Sequence, residues 1–202
     1  MESRRQHWDG VYATKAEMEV SWYQASPVRS LSMIEAVASA KSVIDIGAGA
    51  SLLVDAILDR GYDVTALDVS SAALARIKTR LGLRAARLAT IVADVTEWEP
   101  ARTWGVWHDR AAFHFLTESA DQDAYLRALR AGTHPGSSVI LACFAPDGPE
   151  RCSGLPVRRY DVDGLTARLG ASYRVIGSER EAHHTPKGAV QNFQYVAFRR
   201  ET

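Results

Sequence analysis

The chain has 202 residues, 47% of them apolar, with 24 Lys plus Arg balanced by 24 Asp plus Glu. That length supports one domain with a core buried under several helices. A formal charge of zero argues against a general nucleic-acid or acidic-membrane binder, either of which needs a basic excess. No apolar run approaches the roughly 20 residues of a membrane span. The polar start Met1-Glu-Ser-Arg-Arg-Gln6 is not expected to act as a signal peptide. Two cysteines, Cys143 and Cys152, lack metal-ligand spacing and make a reducing cytoplasm the expected location.

Residues 1–40 read as helical and are aromatic near the start, with Trp8, Tyr12, Trp22 and Tyr23. Pro27 suits the first turn of a helix whose apolar positions Leu31, Ile34, Val37 and Ala38 recur at helical spacing. A strand over 42–46 precedes a helix over about 51–60 that Gly61 stops. A strand over 63–67 leads to a helix capped by Ser70 or Ser71 and running to about Arg80. Strands follow at Leu88–Ala93, ending at Asp94, and at Gly105–His108, ending at Asp109. A helix near 121–131 and the turn His134-Pro-Gly136 lead to the strand Ser138–Phe144. A short helix over about 161–169 precedes two extended runs, Tyr173–Ala182 and Gln191–Arg200, joined by His183-His-Thr-Pro-Lys-Gly188 as a hairpin. This order predicts an α/β fold: a Rossmann-like, doubly wound, seven-stranded and mostly parallel sheet with one antiparallel strand in the C-terminal hairpin and helices on both faces. Residues 1–202 form one domain. Within it, 1–40 are a helical lid or cap, 41–145 the cofactor-binding half, and 146–202 the half that carries the hairpin.

Val43-Ile-Asp-Ile-Gly-Ala-Gly-Ala-Ser51 carries the strongest functional signal. A hydrophobic strand breaks into a turn at Gly47 and Gly49, where the backbone can approach a ligand closely. Asp45 precedes the turn, and Asp68 ends the next strand 21 positions after Gly47, a spacing that fits an acid gripping ribose hydroxyls. The ligand is an adenosine-bearing cofactor. A dinucleotide fingerprint wants a third glycine where Leu52 stands. The helix start carries no Lys or Arg, and Asp45 would repel a pyrophosphate yet suits a free amino group. Adenosylmethionine has that amino group and a sulfonium but no phosphate, so the electrostatics favour it.

On these residues the chain resembles the class I S-adenosyl-L-methionine-dependent methyltransferases from about residue 5 to residue 200. Val43–Ser51, Asp68, Asp94 at the end of the third strand and the C-terminal hairpin match that pattern. It resembles in particular small bacterial members with His7-Trp-Asp-Gly-Val-Tyr12, Glu19-Val-Ser-Trp-Tyr23, Trp107-His-Asp-Arg-Ala-Ala-Phe-His-Phe-Leu116 and Phe144-Ala-Pro-Asp-Gly-Pro149. Many relatives have glycine where Ser51 stands, and Ser51 can cap the helix instead. The resemblance implies that Gly47 and Gly49 pass beneath the methionine part and ribose, and that Asp45 reaches the ammonium directly or through water. It also implies that Asp68 takes both ribose hydroxyls, Val69 packs on the adenine, Asp94 accepts the adenine amino hydrogen and the Val95 amide faces the ring. S-Adenosyl-L-homocysteine would be the product.

Methyl transfer needs alignment, exclusion of water and sometimes removal of a proton. Reacting groups in such sheets lie beyond the carboxyl ends of the strands. The fourth strand is therefore expected to aim Asp109, Arg110, Phe113 and His114 at the methyl group. Of the alternating pair His108 and Asp109, Asp109 is favoured to face the cofactor, where it could deprotonate the acceptor or hold the ammonium end. His114 is the candidate base. Trp22, Tyr23, Arg110, Phe113 and Phe144 are expected around the acceptor. Each also has a plainer role: an ion pair for Asp109, a packed histidine for His114, helix caps for Asp45, Asp68 and Asp94, a sheet-edge helix for Trp22-Tyr23. His183 and His184 show too few ligands for a metal, so none is expected. Cys152 could rim the pocket or simply be buried.

The expected activity is methyl transfer by in-line displacement to a thiol or amine of a small molecule. Asp109-Arg-Ala-Ala112 is similar to the Asp-Arg segment of thiopurine and related thiol methyltransferases, and no inserted domain for gripping a macromolecule is present in the sequence. The alternatives are a protein lysine methyltransferase, a non-catalytic cofactor-binding protein and, more distantly, a dehydrogenase. No nucleic-acid or membrane partner is expected, and the assembly is a monomer or homodimer.

Overall fold

The computed structural model describes residues 3–202. Helix α1 (Arg4–Thr14) opens with a reciprocal cap between Ser3 and Gln6, and α2 (Val28–Val37) starts after Pro27. Strand β1 (Ser42–Ile46), α3 (Leu53–Asp59), β2 (Asp63–Asp68), α4 (Ser71–Leu81) and β3 (Leu88–Val92) follow in alternation. Then come β4 (Val106–Arg110), α5 (Ser119–Ala131) and β5 (Ser138–Phe144). Ser70 caps α4 by accepting from the Ala73 amide, and Ser51 Oγ accepts from the Leu53 amide at 3.0 Å. Both hydroxyls satisfy amides that have no partner inside the helix.

The main sheet has seven strands in the order β3-β2-β1-β4-β5-β9-β8, where β8 is Tyr173–His184 and β9 is Val190–Arg200. Strands β1 to β5 are parallel, and β9 runs antiparallel to both of its neighbours. The expected mostly parallel sheet with one reversed strand is borne out. Strand β8 reaches two residues further than expected, so His183 and His184 lie in the strand rather than in the connection.

One small element was not anticipated. Strands β6 (Arg151–Cys152) and β7 (Leu155–Pro156) pair around Ser153 and Gly154, which have φ of 49° and 80°. Two successive positive φ values make a primed hairpin turn. Helix α6 (Val162–Leu169) follows, capped by Asp161.

The sheet separates two cores. One packs Val43, Val64, Val106 and Ile140 against α2, α3 and α4. The other packs Ile44, Ile46, Trp107, Val139 and Leu141 against α5 and α6. Neighbouring residues of one strand thus enter opposite layers, as a period of two requires. In β4 the even positions face the α2–α4 layer and the odd positions the α5 layer.

Candidate functional site

The turn after β1 forms as its glycines predict. Gly47 and Gly49 have φ of 65° and 56°. A Cβ on Gly47 would lie 2.6 Å from the Ala112 Cβ, and one on Gly49 would collide with the Tyr12 hydroxyl. Gly47→Ala is therefore expected to cost about 1–2 kcal/mol for the left-handed backbone alone, and to displace the Ala112 loop. The check is a lower melting temperature together with weaker binding of S-adenosylhomocysteine. An unchanged melting temperature would show that the loop yields freely.

Asp68 closes this cradle from β2. Its Oδ2 accepts from the Gly49 amide at 2.7 Å and its Oδ1 from the Ser70 amide at 2.8 Å. Burial pushes the Asp68 carboxyl up to about 6, the two amides oppose the shift, and the carboxylates of Asp45 and Asp9 add to it. Asp9 on α1 accepts from the Ser70 hydroxyl at 2.6 Å, tying the N-terminal helix to the end of β2.

Strand β4 reverses one expectation. Asp109 does not face the cofactor side. It is fully buried toward α5, accepting from the amides of Ala112 at 2.9 Å and Phe113 at 3.1 Å and from the Tyr125 hydroxyl at 2.8 Å. The neighbour set aside, His108, occupies the other face. It is laterally paired with Asp45 on β1. Its Nδ1 lies 2.7 Å from Asp45 Oδ1 and its Nε2 3.0 Å from the Ser30 hydroxyl of α2. Donation from Nδ1 to the Asp45 carboxylate and a contact between Nε2 and the Ser30 hydroxyl link these buried groups across β1, β4 and α2. The missed signal was Trp107, whose bulk belongs against α5 and so assigns its alternate, Asp109, to the same layer.

His114, Phe113 and Phe144 also lie off the expected position. His114 is buried between the rings of Phe115 and Phe144, with its Nδ1 3.4 Å from the Phe144 amide. Burial and the nearby Arg110 charge pull its imidazole down to about 3, which leaves it neutral and a poor base. Phe113 packs on Tyr125 and Tyr160 in the α5 layer, and Phe144 on Phe193. All three are fully buried, Phe113 in the α5 layer and Phe144 in the α2–α4 layer.

Two adjoining cavities remain at the carboxyl ends of the strands. The longer one is bordered by Asp68, Val69, Asp94 and Val95 on the β2–β3 side and by Trp22, Arg110, Phe115 and Cys152 on the β4 side. The shorter one is bordered by Asp45, Gly49, His108 and Tyr23, with Gly47, Trp22 and Arg110 shared between the two. Asp94 is already engaged: it accepts from the Thr96 amide and hydroxyl and pairs with Arg4 of α1 at 2.9 Å, contacts that hold its carboxyl below the usual carboxylate range despite partial burial.

Trp8 and Tyr12 of α1, not singled out as site residues, complete the aromatic wall. The Trp8 ring stands 5.1 Å from Phe115 and 5.7 Å from Trp22, edge to face. Arg76 of α4 donates to the Tyr12 carbonyl and fastens the helix from the other side.

Residues 43–136 match the model of a family described as a methyltransferase domain. No curated protein matches the chain. A solved structure concerned with conversion of a disulfide bond into a thioacetal group during echinomycin biosynthesis superposes with a TM-score of 0.78 at 19% identity, over 98% of this chain and 93% of that one. A 1,6-didemethyltoxoflavin-N1-methyltransferase from Burkholderia thailandensis, with 1,6-didemethyltoxoflavin and S-adenosylhomocysteine bound, gives 0.70 at 21% identity over 97% and 84%. The glycopeptide N-methyltransferase MtfA in complex with S-adenosylmethionine gives 0.68 at 15% over 90% and 96%. The fold is thus the Rossmann-like methyltransferase fold, with its strand order and its reversed strand next to β5. Residues 43–136 thus match a methyltransferase domain set within this fold, and S-adenosyl-L-methionine is the cofactor that such a domain implies.

Proposed function

We propose that the chain transfers the methyl group of S-adenosyl-L-methionine to a thiol or amine of a small molecule. The observation that carries this reading is the continuity of the longer cavity. It runs from the acid-lined β2–β3 side to an aromatic side covered by α1 and by the β6–β7 hairpin that bears Cys152. A covered, aromatic-walled acceptor end suits a compact reactant.

The residues present fit the cofactor. Gly47 and the buried Asp68 carboxylate border the same cavity, and Asp68 is held there by the Gly49 amide. Asp68 would take the ribose hydroxyls, Val69 and the Val95 amide would meet the adenine, and the adenine amino group would share Asp94 with Arg4. Asp45, oriented by His108, would take the ammonium directly or through water. When bound, the cofactor supplies a methyl group activated by its sulfonium. The chain's own contribution is alignment and exclusion of water by Trp8, Trp22 and Phe115. Among the described residues, neither a histidine nor an acid lines the β4 side of this cavity. The acceptor's lone pair therefore attacks without a protein base, as a thiolate or neutral amine does, and an amine loses its extra proton to water afterwards.

Supporting the small-molecule reading, the toxoflavin methyltransferase named above holds 1,6-didemethyltoxoflavin beside S-adenosylhomocysteine. Incubating the protein with methyl-labelled cofactor and cell extract is expected to place label in the low-molecular-mass fraction. Label in a protein band would instead establish a protein acceptor. Binding of S-adenosylhomocysteine with no transfer to any fraction would establish a non-catalytic binding protein.

A further inference from the structure

Arg110 is the last residue of β4 and shares its face with His108. Its side chain is only 10% exposed, yet its guanidinium is incompletely matched. Nε donates to the Tyr195 hydroxyl at 2.9 Å, Nη1 donates to the Trp22 carbonyl at 3.2 Å, and the guanidinium lies 4.3 Å from the centre of the Phe193 ring. Nη2 is buried and makes no hydrogen bond. The nearest acid is Glu181, whose Oε2 is 3.8 Å away, beyond hydrogen-bond reach. Both Glu181 oxygens are already occupied, Oε2 by the Tyr195 hydroxyl at 3.0 Å and Oε1 by Gln24 Nε2 at 3.1 Å. Glu181 lies close enough to balance the charge, but the buried Nη2 hydrogens have no acceptor, and such donors are costly unless a ligand completes them. Arg110 borders both cavities.

We infer that Arg110 Nη2 is the receptor for a reactant's carboxylate at the junction of the two cavities. The planar fork of arginine is matched to that group. The inference rests on the methyltransferase reading and sharpens it. The carboxylate belongs either to the methionine end of the cofactor, opposite Asp45 in the shorter cavity, or to an anionic acceptor lying against Trp8 and Trp22. A lysine side chain would bring its positive charge toward that of Arg110, so the same geometry disfavours a protein lysine acceptor.

Calorimetry on Arg110→Gln separates the two sources. S-Adenosylhomocysteine carries the carboxylate, whereas 5′-deoxy-5′-methylthioadenosine lacks the whole amino-acid end. If Arg110 holds the cofactor, Arg110→Gln weakens the first by about tenfold or more and leaves the second unchanged. If it holds the acceptor, S-adenosylhomocysteine binds normally. The wild-type complex with that ligand then takes up 2-naphthoate in preference to 2-naphthamide, and the variant loses the preference. Unchanged S-adenosylhomocysteine affinity, together with no such preference in the wild type or a preference the variant retains, overturns the inference. Should Arg110→Gln lose methylthioadenosine as well, Arg110→Lys, which keeps the charge and most of the stem, is read in its place, and equal losses of both nucleosides there overturn it too. A wild type that binds neither nucleoside would instead refute the cofactor assignment.

Discussion

Asp109→Ala is expected to destabilise the protein by about 3–5 kcal/mol, because it strips an acceptor from three buried donors at a cost of about 1–3 kcal/mol each. Those donors are the Ala112 and Phe113 amides and the Tyr125 hydroxyl, which itself accepts from Trp107 Nε1 at 2.8 Å. The carboxylate thus joins the loop after β4 to α5 across the apolar layer. For a chain of this size each kcal/mol lowers the melting temperature by about 2–4 °C, so a drop on the order of 10 °C is expected in thermal denaturation. Asp109→Asn keeps the shape but turns an amide group toward donors, and is expected to lose less. Methyl transfer per folded molecule should survive in Asp109→Asn. Lost turnover at an unchanged melting temperature would return Asp109 to the reacting atoms.

Asp68→Ala is expected to weaken S-adenosylhomocysteine by about 1–3 kcal/mol, the scale of a hydrogen bond to a charged group, with a smaller change in melting temperature than Asp109→Ala. Affinity unchanged by the substitution would remove Asp68 from the site. The pH dependence gives a second check. Burial raises the Asp68 carboxyl to about 6 in the ligand-free chain, above the ordinary 3.8, so its protonated form gains population as pH falls through 6. Ribose hydroxyls need the ionised acceptor, and binding therefore pulls the group back toward ionisation. Affinity should be level above pH 7 and fall by up to about tenfold per pH unit below 6. In Asp68→Asn that slope should disappear. A wild-type profile flat from pH 7 to 5 would show that Asp68 does not accept from the ligand in its ionised form.

The cofactor half was readable because its signals are local. Val43–Ser51 encodes strand, turn and helix start in nine consecutive residues, and both glycines carry the positive φ values the turn requires. Asp68 and Asp94 sit where two strands end, a position that the alternation of elements predicts. The acceptor half depends on residues far apart in the chain. Trp8 meets Phe115, Arg4 meets Asp94, and Arg110 meets Tyr195, each across a separation that no pattern of spacing records. The β6–β7 hairpin was missed although Ser153-Gly154 is a turn pair, because each of its strands has only two residues.

By itself the sequence determined the order of elements, the reversed strand and an adenosine-bearing, phosphate-free cofactor, since these follow from periodicity, glycine placement and the sign of nearby charge. Only the tertiary structure decided which side of β4 faces the site. A period of two says that His108 and Arg110 share one face and Trp107 and Asp109 the other. It does not say which helix covers which face. Packing of α5 against Trp107 settles that, sends Asp109 into the core, and leaves His108 beside Asp45 and Arg110 between the two cavities.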